Sequence, residues 1–179
     1  MKAALRQEIK RLKQGLTPAG RLSFSQIICQ NIELHPLWKA AQTVLAFYPL
    51  PDEPDLRPLL ERYYQTKRIL LPVVQGDKMV IRLYEGQESL REGAFRIFEP
   101  QGQDLPLPSL RVDLVLVPGV AFDAAGHRLG RGKGYYDQFF ASCPQVAASY
   151  KLGIAFPFQI VGEIPTEPHD IQMDEVLEV

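Results

Sequence analysis

The sequence predicts an α/β protein with three layers (α/β/α), in which helices cover both faces of a mostly parallel sheet. Short apolar runs of strand length alternate along the chain with segments of helical periodicity. Strands that are joined by helices form right-handed crossovers, which place the helices on the two faces of the sheet. The 179 residues suit one sizeable core, so we expect residues 1–179 to form a single domain.

The first helix is predicted over residues 2–14, because Leu5, Ile9 and Leu12 recur at helical spacing. Thr17-Pro18 is typical of a helix start, with threonine as the N-cap and proline at the first helical position. That second helix is expected to reach about residue 34. Further helices are predicted over residues 56–66, with Asp55 as the cap, and over residues 135–142.

Strands are predicted where apolar or alternating runs lie between turn residues. These runs are residues 43–48, 68–74, 79–84, 113–118, 150–156 and 175–179. Because ligands bind at the carboxyl ends of parallel strands, three loops are expected to border a site. The loops are residues 49–54, 119–134 and 157–170.

Composition excludes several classes of protein. A formal net charge of −1 argues against general nucleic-acid binding, which needs a broad basic surface. We also expect no membrane span and no signal peptide, because the sequence has no apolar run of the required length. Cys29 and Cys143 stand apart without metal-type spacing, so a cytoplasmic protein with reduced thiols is expected. A monomer is the default oligomeric state.

The most informative stretch is a basic glycine loop, residues 128–134 (Arg-Leu-Gly-Arg-Gly-Lys-Gly), between a predicted strand and the helix at Tyr135. Its glycines allow positive φ and close approach of backbone N–H groups to a ligand. Its cations would repel one another unless an anion lay among them. The loop therefore predicts a phosphate site, although it matches neither a Walker loop nor a dinucleotide fingerprint. The alternative is a basic surface turn.

A basic stripe runs along the first helix through Lys2, Arg6, Lys10 and Lys13. One interpretation is a solvated flank of an amphipathic helix. The other is that this edge lies over an anionic ligand. The sequence alone leaves both open.

Asp137 follows the glycine loop on the first turn of a helix. It could complement the helix dipole or hold Mg²⁺, which takes one or two carboxylates when it binds with phosphates. A second carboxylate would then lie nearby, and Asp123, Asp170 and Asp174 are the candidates. No histidine has ligand spacing, so no histidine-based metal site is expected.

Glu53 lies between prolines at a strand end, where it could bond the N–H groups of a heterocycle or remain a solvated acid. Aromatic residues could stack on a flat ring, although a lone aromatic is more often part of a core. These are Tyr48, Phe95, Tyr135 and Tyr136.

With these residues in place, nearly the whole chain resembles the 5-formyltetrahydrofolate cyclo-ligase (5,10-methenyltetrahydrofolate synthetase) family. The most specific match is Val117–Asp123 followed by Gly126–Asp137. Residues 2–6 (Lys-Ala-Ala-Leu-Arg), 48–53 (Tyr-Pro-Leu-Pro-Asp-Glu) and 170–177 match further family motifs in the expected order.

The resemblance implies a single α/β/α domain that converts 5-formyltetrahydrofolate, with or without a polyglutamate tail, to 5,10-methenyltetrahydrofolate. ATP and Mg²⁺ are required, and ADP and phosphate are released. It implies metal binding by Asp137 and Asp170. Since the reaction needs charge neutralised at the transferring phosphoryl group, we hypothesise that Arg131 and Lys133 are the catalytic residues that stabilise it. The implied ATP-binding residues are Lys2, Ala3, Ala4, Leu5, Arg6, Arg128, Leu129, Gly130, Arg131, Gly132, Lys133, Gly134, Tyr135 and Tyr136. The implied folate-binding residues are Arg6, Tyr48, Glu53, Phe95 and residues 131–135.

Two alternatives remain at this point. One is an isomerase or transferase that binds sugar phosphates or CoA esters through the same loop. The other is a folate- or nucleotide-binding regulator without catalysis. The residue that handles protons during ring closure also stays open between Glu53 and Asp123.

Overall fold

The structure, a computed structural model, describes residues 1–93 and 96–179, and it confirms the three-layer α/β fold. The helices are α1 (Lys2–Gln14), α2 (Pro18–Leu34), α3 (Pro36–Ala40), α4 (Arg57–Tyr63), α5 (Tyr135–Ser142) and α6 (Pro144–Ala147). The strands are β1 (Thr43–Leu45), β2 (Arg68–Gln75), β3 (Lys78–Leu83), β4 (Leu90–Glu92), β5 (Phe98–Pro100), β6 (Leu114–Pro118), β7 (Ala121–Asp123), β8 (Arg128–Leu129), β9 (Tyr150–Ile154), β10 (Ile160–Val161) and β11 (Glu175–Val176).

The central sheet has the strand order β11-β9-β6-β1-β2-β3. Every neighbouring pair is parallel except β2 and β3, which form an antiparallel hairpin. Successive strand residues point to opposite faces, so Val44 and Leu45 belong to different cores. Helices α2, α3 and α4 cover the face of Val44, and α5 and α6 cover the face of Leu45.

A smaller sheet of order β10-β7-β8 lies beside the glycine loop and holds α1 in place. Ile9 of α1 is 1% exposed and packs with Val120, Leu129 and Ile164. Burial of one such aliphatic side chain contributes about 1.5–3 kcal/mol, so the apolar stripe of α1 fixes this helix next to the loop. Lys2 and Arg6 of its basic stripe thereby reach a cavity at the carboxyl ends of the sheet strands.

Several element boundaries differ from the sequence-based expectations. The strands predicted over 43–48, 150–156 and 175–179 and the helix predicted over 56–66 are all shorter. β1 ends at Leu45, although Ala46 still donates its N–H to the Leu70 carbonyl of β2, and Phe47 and Tyr48 line the same cavity. The expected cap at Asp55 is wrong, because the N-cap of α4 is Leu56; the Asp55 carboxylate accepts the Arg57 N–H at 3.1 Å from just outside the helix.

The small sheet, the β4–β5 hairpin, α3 and α6 were not predicted, because pieces of two to five residues show no clear periodicity. Cys29 and Cys143 are both buried and free, as expected for reduced thiols. Among the helices in the described part of the chain, none combines the length and apolar content that crossing a bilayer requires.

Candidate active site

The three predicted loops meet at one cavity of about 670 Å³ at the carboxyl ends of the central strands. The loop after β1 contributes Leu50 and Glu53, and the loop after β9 contributes Glu167 and Asp170. Further contributions come from α1, the hairpin β2–β3, the segment around β5, the end of β6 and the glycine loop with the start of α5. The residues of the glycine loop and α5 that line the cavity are Arg128, Leu129, Gly130, Arg131, Gly132, Lys133, Gly134, Tyr135, Tyr136 and Asp137.

The glycine loop takes the backbone shape that its composition predicts at two of its three glycines. Gly132 and Gly134 have φ of +105° and +70°, a region that side chains disfavour. Gly130 does not have positive φ; a Cβ there would lie 3.1 Å from Arg128 Nη1, a close contact with the end of that side chain. Gly134 directly precedes α5, whose N-terminus therefore faces the cavity and favours an anion.

Two contacts fix the side chain of Arg128 at the start of the glycine loop. Its Nε donates to the Pro118 carbonyl at 2.7 Å, and its guanidinium lies 4.8 Å from the centre of the Tyr136 ring. Burial lowers the pKa of Arg128 and raises that of Tyr136, although each still lines the cavity. Arg128 thus supplies positive charge from a fixed position.

The basic stripe of α1 divides between the cavity and solvent. Lys2 Nζ lies 3.0 Å from Asp170 Oδ2, and Arg6 Nε donates to the Gly130 carbonyl at 2.8 Å. Lys10 is exposed, whereas the side chain of Lys13 is 8% exposed. Lys2 and Arg6 therefore line the cavity, as expected if this edge of α1 lies over an anionic ligand. Lys10 is exposed, as expected for the solvated flank of an amphipathic helix.

Glu53 is 5% exposed and is held rigidly in the loop after β1. Its Oε1 accepts the Leu50 N–H at 2.8 Å, and Arg21 Nε donates to the Glu53 carbonyl at 2.9 Å. Burial raises the pKa of Glu53, and the Leu50 N–H and Arg131 only partly oppose this rise. Sequence reasoning could not tell whether Glu53 was solvated, and the structure shows that it is not.

Arg131 joins the glycine loop to the loop after β1. Its Nη2 donates to Asp52 Oδ1 at 2.8 Å and lies 3.5 Å from Glu53 Oε2. Burial opposes the charge of Arg131, but the hydrogen bond with Asp52 and the charges of both acids outweigh it, so the pKa of Arg131 is raised.

Part of the cavity lining is an apolar wall that comes mainly from β2, β3 and their surroundings. Tyr48 lies edge-on to Phe98, with ring centres 6.2 Å apart. A flat ring could lie against this wall with its polar edge towards Glu53. Sequence analysis missed most of the wall, because its residues resemble ordinary strand core. They are Phe47, Pro72, Val73, Val74, Met79 and Ile97.

The structure separates the candidate metal ligands. Asp123 is buried, accepts the Ile164 N–H at 3.0 Å and contacts His127, and Asp174 accepts the Lys151 N–H at 2.8 Å, so both have structural partners. Asp137 and Asp170 both line the cavity. Asp137 Oδ1 accepts the Ile171 N–H at 3.1 Å, so Asp137 contacts the backbone of the residue that follows Asp170.

His169 lies beside Asp170, although its sequence spacing suggested no role. Potential ligand atoms of Glu167, His169 and Asp170 lie within 4.8 Å of one another. Burial opposes the ionisation of Asp170, but the Glu167 N–H and Lys2 lower its pKa. A mixed nitrogen and oxygen site is therefore geometrically available, whereas Mg²⁺ prefers oxygen ligands.

Comparison with known proteins decides the family. The model of the 5-formyltetrahydrofolate cyclo-ligase family matches residues 1–179. The chain belongs to this family. The mouse 5-formyltetrahydrofolate cyclo-ligase is 31% identical over 98% of this chain and 92% of its own length. The enzyme of the same name from Escherichia coli is 31% identical over 94% of this chain and 95% of its own length.

Solved structures agree with this assignment. The NMR structure of Aquifex aeolicus 5,10-methenyltetrahydrofolate synthetase matches 98% of this chain and 88% of its own chain, at 32% identity and a TM-score of 0.85. The synthetase from Mycoplasma pneumoniae matches 98% and 97%, at 25% identity and a TM-score of 0.75. The chain is therefore an enzyme of the cyclo-ligase family, with the fold of that family.

The cavity brings together most of the site residues that the cyclo-ligase resemblance implied. In the N-terminal motif, Lys2 and Arg6 line it, whereas Ala3 and Ala4 are exposed and Leu5 packs on the small core. Phe95 lies outside the described residues. All of Arg128–Asp137 line the cavity, as do Tyr48, Glu53 and Asp170. Their individual roles stay predictions.

Proposed function

We propose that the protein converts 5-formyltetrahydrofolate to 5,10-methenyltetrahydrofolate, with ATP as co-substrate and Mg²⁺ as cofactor, and releases ADP and phosphate. The observation that carries this proposal is one cavity that is lined by two chemically different groups of residues. One group is the basic glycine loop at a helix N-terminus, and the other is the buried Glu53 and an apolar wall. A triphosphate suits the first and a pterin ring suits the second.

The chemistry explains why both ligands must share one cavity. The formyl group on N5 is an amide and a poor electrophile. Its oxygen attacks the γ-phosphorus of ATP, the bond to the β-phosphate oxygen breaks, and ADP leaves. N10 then attacks the activated formyl carbon, the phosphate leaves with the former formyl oxygen, and N10 loses its proton. The protein must mainly align the reactants and neutralise charge.

Arg131 and Lys133 are assigned to the transferring phosphoryl group, because both lie in the glycine loop and line the cavity. Arg128, Lys2 and Arg6 supply positive charge for the rest of the triphosphate. Backbone N–H groups of the glycine loop complete the anion site, as preorganised donors that need no rearrangement during reaction.

The residues present fit a magnesium ion. Asp137 and Asp170 both line the cavity, Asp137 contacts the backbone of the residue that follows Asp170, and carboxylates beside phosphates are the usual protein ligands of Mg²⁺. When bound, the ion would neutralise charge on the phosphate oxygens. We assign these two carboxylates as its ligands, with ATP supplying further oxygens.

Glu53 orients the pterin and is the better candidate for the proton of N10. The sequence left Glu53 and Asp123 as candidates for this proton transfer. Asp123 contacts the His127 ring, accepts the Ile164 N–H and does not line the cavity. Glu53 lines it, and burial raises its pKa, which makes its carboxylate a stronger base.

The test mixes the protein with 5-formyltetrahydrofolate, ATP and Mg²⁺ and follows near-ultraviolet absorbance, where the conjugated methenyl product absorbs and the substrate does not. We expect a rise that requires ATP and yields ADP. An isomerase or transferase of phosphate esters would give no rise, and a regulator would bind ligand without forming ADP; either result would overturn the proposal.

The same assay tests Lys133. In single turnovers, Lys133→Ala should slow phosphoryl transfer by about 10²–10³-fold, as expected when one transition-state donor is lost. Near-normal transfer in this variant would show that the role assigned to Lys133 is wrong.

A further inference from the structure

Arg131 is already engaged with carboxylates in the structure. Its Nη2 lies 2.8 Å from Asp52 Oδ1 and 3.5 Å from Glu53 Oε2. The proposed function assigns the same guanidinium to the transferring phosphoryl group. The Arg131 guanidinium must either leave Asp52 for the phosphoryl group or bind both at once. The contact with Asp52 therefore bears directly on phosphate binding.

Asp52 has a second cation on its other oxygen. Lys13 Nζ lies 3.4 Å from Asp52 Oδ2, and the side chain of Lys13 is 8% exposed. Burial lowers the pKa of Lys13, and the charge of Asp52 partly offsets this effect. Lys13 comes from α1 and does not line the cavity, so it is placed to compensate Asp52 without contacting the ligand.

We propose that Asp52 is a positioning residue that holds Arg131 until the γ-phosphate of ATP takes it, while Lys13 stays to neutralise the carboxylate. This inference rests on the proposed function. Without Lys13, release of Arg131 would leave Asp52 partly desolvated and without a cation, so the exchange would be less favourable. The exchange would also link the loop of Asp52, which carries the folate-binding Glu53, to occupancy of the phosphate site.

The exchange predicts discrimination between triphosphate and diphosphate. ADP has no γ-phosphate to take Arg131, so its affinity should not depend on Asp52. A triphosphate has to replace a charge-assisted hydrogen bond, and loss of this competitor should strengthen its binding. A merely structural role for Asp52 would change both affinities together.

A double-mutant cycle tests this inference by calorimetric titration with ADP and with a non-hydrolysable ATP analogue in Mg²⁺. Asp52→Asn should tighten binding of the analogue by about threefold to tenfold and leave ADP affinity unchanged. In an Arg131→Gln background, the effect of Asp52→Asn should disappear, because the competing pair no longer exists.

An unchanged analogue affinity, an equal change for ADP, or an effect that persists with Arg131→Gln would overturn the role of Asp52. The last result would indicate a general charge effect. Lys13→Met provides a second variant if Asp52→Asn does not fold. It should weaken analogue binding by about threefold without changing ADP affinity, and equal binding of the analogue would overturn the proposal.

Failure of the proposed function would look different. A wild-type protein that bound neither nucleotide would overturn the function and this inference together. A wild-type protein that bound both, with no discrimination in the cycle, would overturn the inference alone.

Discussion

At the scale of single residues, some charged groups of the cavity are withdrawn from water, whereas Arg131 and Lys133 are exposed. Arg128 and Glu53 both line the cavity, and burial acts against the charge of both. Such groups lower stability while they prepare a site for a charged ligand. Their stability effects can therefore be tested separately from activity.

Glu53→Gln should raise the melting temperature at pH 8. Burial raises the pKa of Glu53, so the folded state binds its proton more tightly than the unfolded chain does. Protonation of Glu53 therefore stabilises the folded state. This stabilisation is fully present below the unfolded pKa of about 4.3 and is lost as the pH rises through the folded pKa. Glutamine keeps an acceptor for the Leu50 N–H without the buried charge. Thermal unfolding should show a gain of about 2–4 °C that narrows towards pH 5.

Glu163→Gln is the matched control, because it removes the charge of an exposed glutamate. We expect no change in its melting temperature at either pH. A lower melting temperature for Glu53→Gln at pH 8 would mean that the ion pair with Arg131 outweighs the cost of burial.

Gly134→Ala should lower the free energy of unfolding by about 1–2 kcal/mol, the cost of a side chain in the left-handed region. Gly134 has φ of +70°, and its added Cβ would meet no atom closer than 3.7 Å, so the penalty is one of backbone conformation. Urea unfolding measures it. Gly162→Ala should be neutral, because Gly162 has nothing within 4 Å of an added Cβ. Equal changes in the free energy of unfolding of the two variants would contradict the claim that the backbone conformation of Gly134 disfavours a side chain.

At the scale of elements, α1 joins packing to ligand binding. Its apolar side, represented by Ile9, fixes the helix on the small sheet, and Lys2 and Arg6 thereby reach the cavity. The sequence predicted the whole helix from its periodicity. It could not assign the basic stripe, because helical spacing does not tell which cations face solvent.

Lys2→Met should weaken binding of an ATP analogue by about tenfold, because it removes a charge-assisted contact at the cavity. Lys10→Met is the matched control, since Lys10 lies on the same helix and is exposed. Calorimetric titration should show little change for this control. Equal losses in the two variants would indicate long-range attraction rather than direct contact by Lys2.

At the scale of the whole molecule, the sheet order brings distant segments to one edge. Alternating strands and helices predicted that the three loops would meet, and the structure places all three on the cavity. The pairs Lys2–Asp170 and Arg131–Asp52 could not be predicted, because contacts across 168 and 79 residues leave no local pattern. The apolar wall was missed for a similar reason, since β2 and β3 alternate as ordinary strands do.

The most direct test of the account follows the formyl oxygen. If the cavity aligns this oxygen with the γ-phosphorus of ATP, the oxygen must leave with the phosphate. The protein is incubated with 5-formyltetrahydrofolate carrying ¹⁸O in the formyl group, ATP and Mg²⁺, and the released phosphate is analysed by mass spectrometry. We predict one ¹⁸O atom in each phosphate formed with product. Product formation with unlabelled phosphate would contradict phosphorylation of the formyl oxygen.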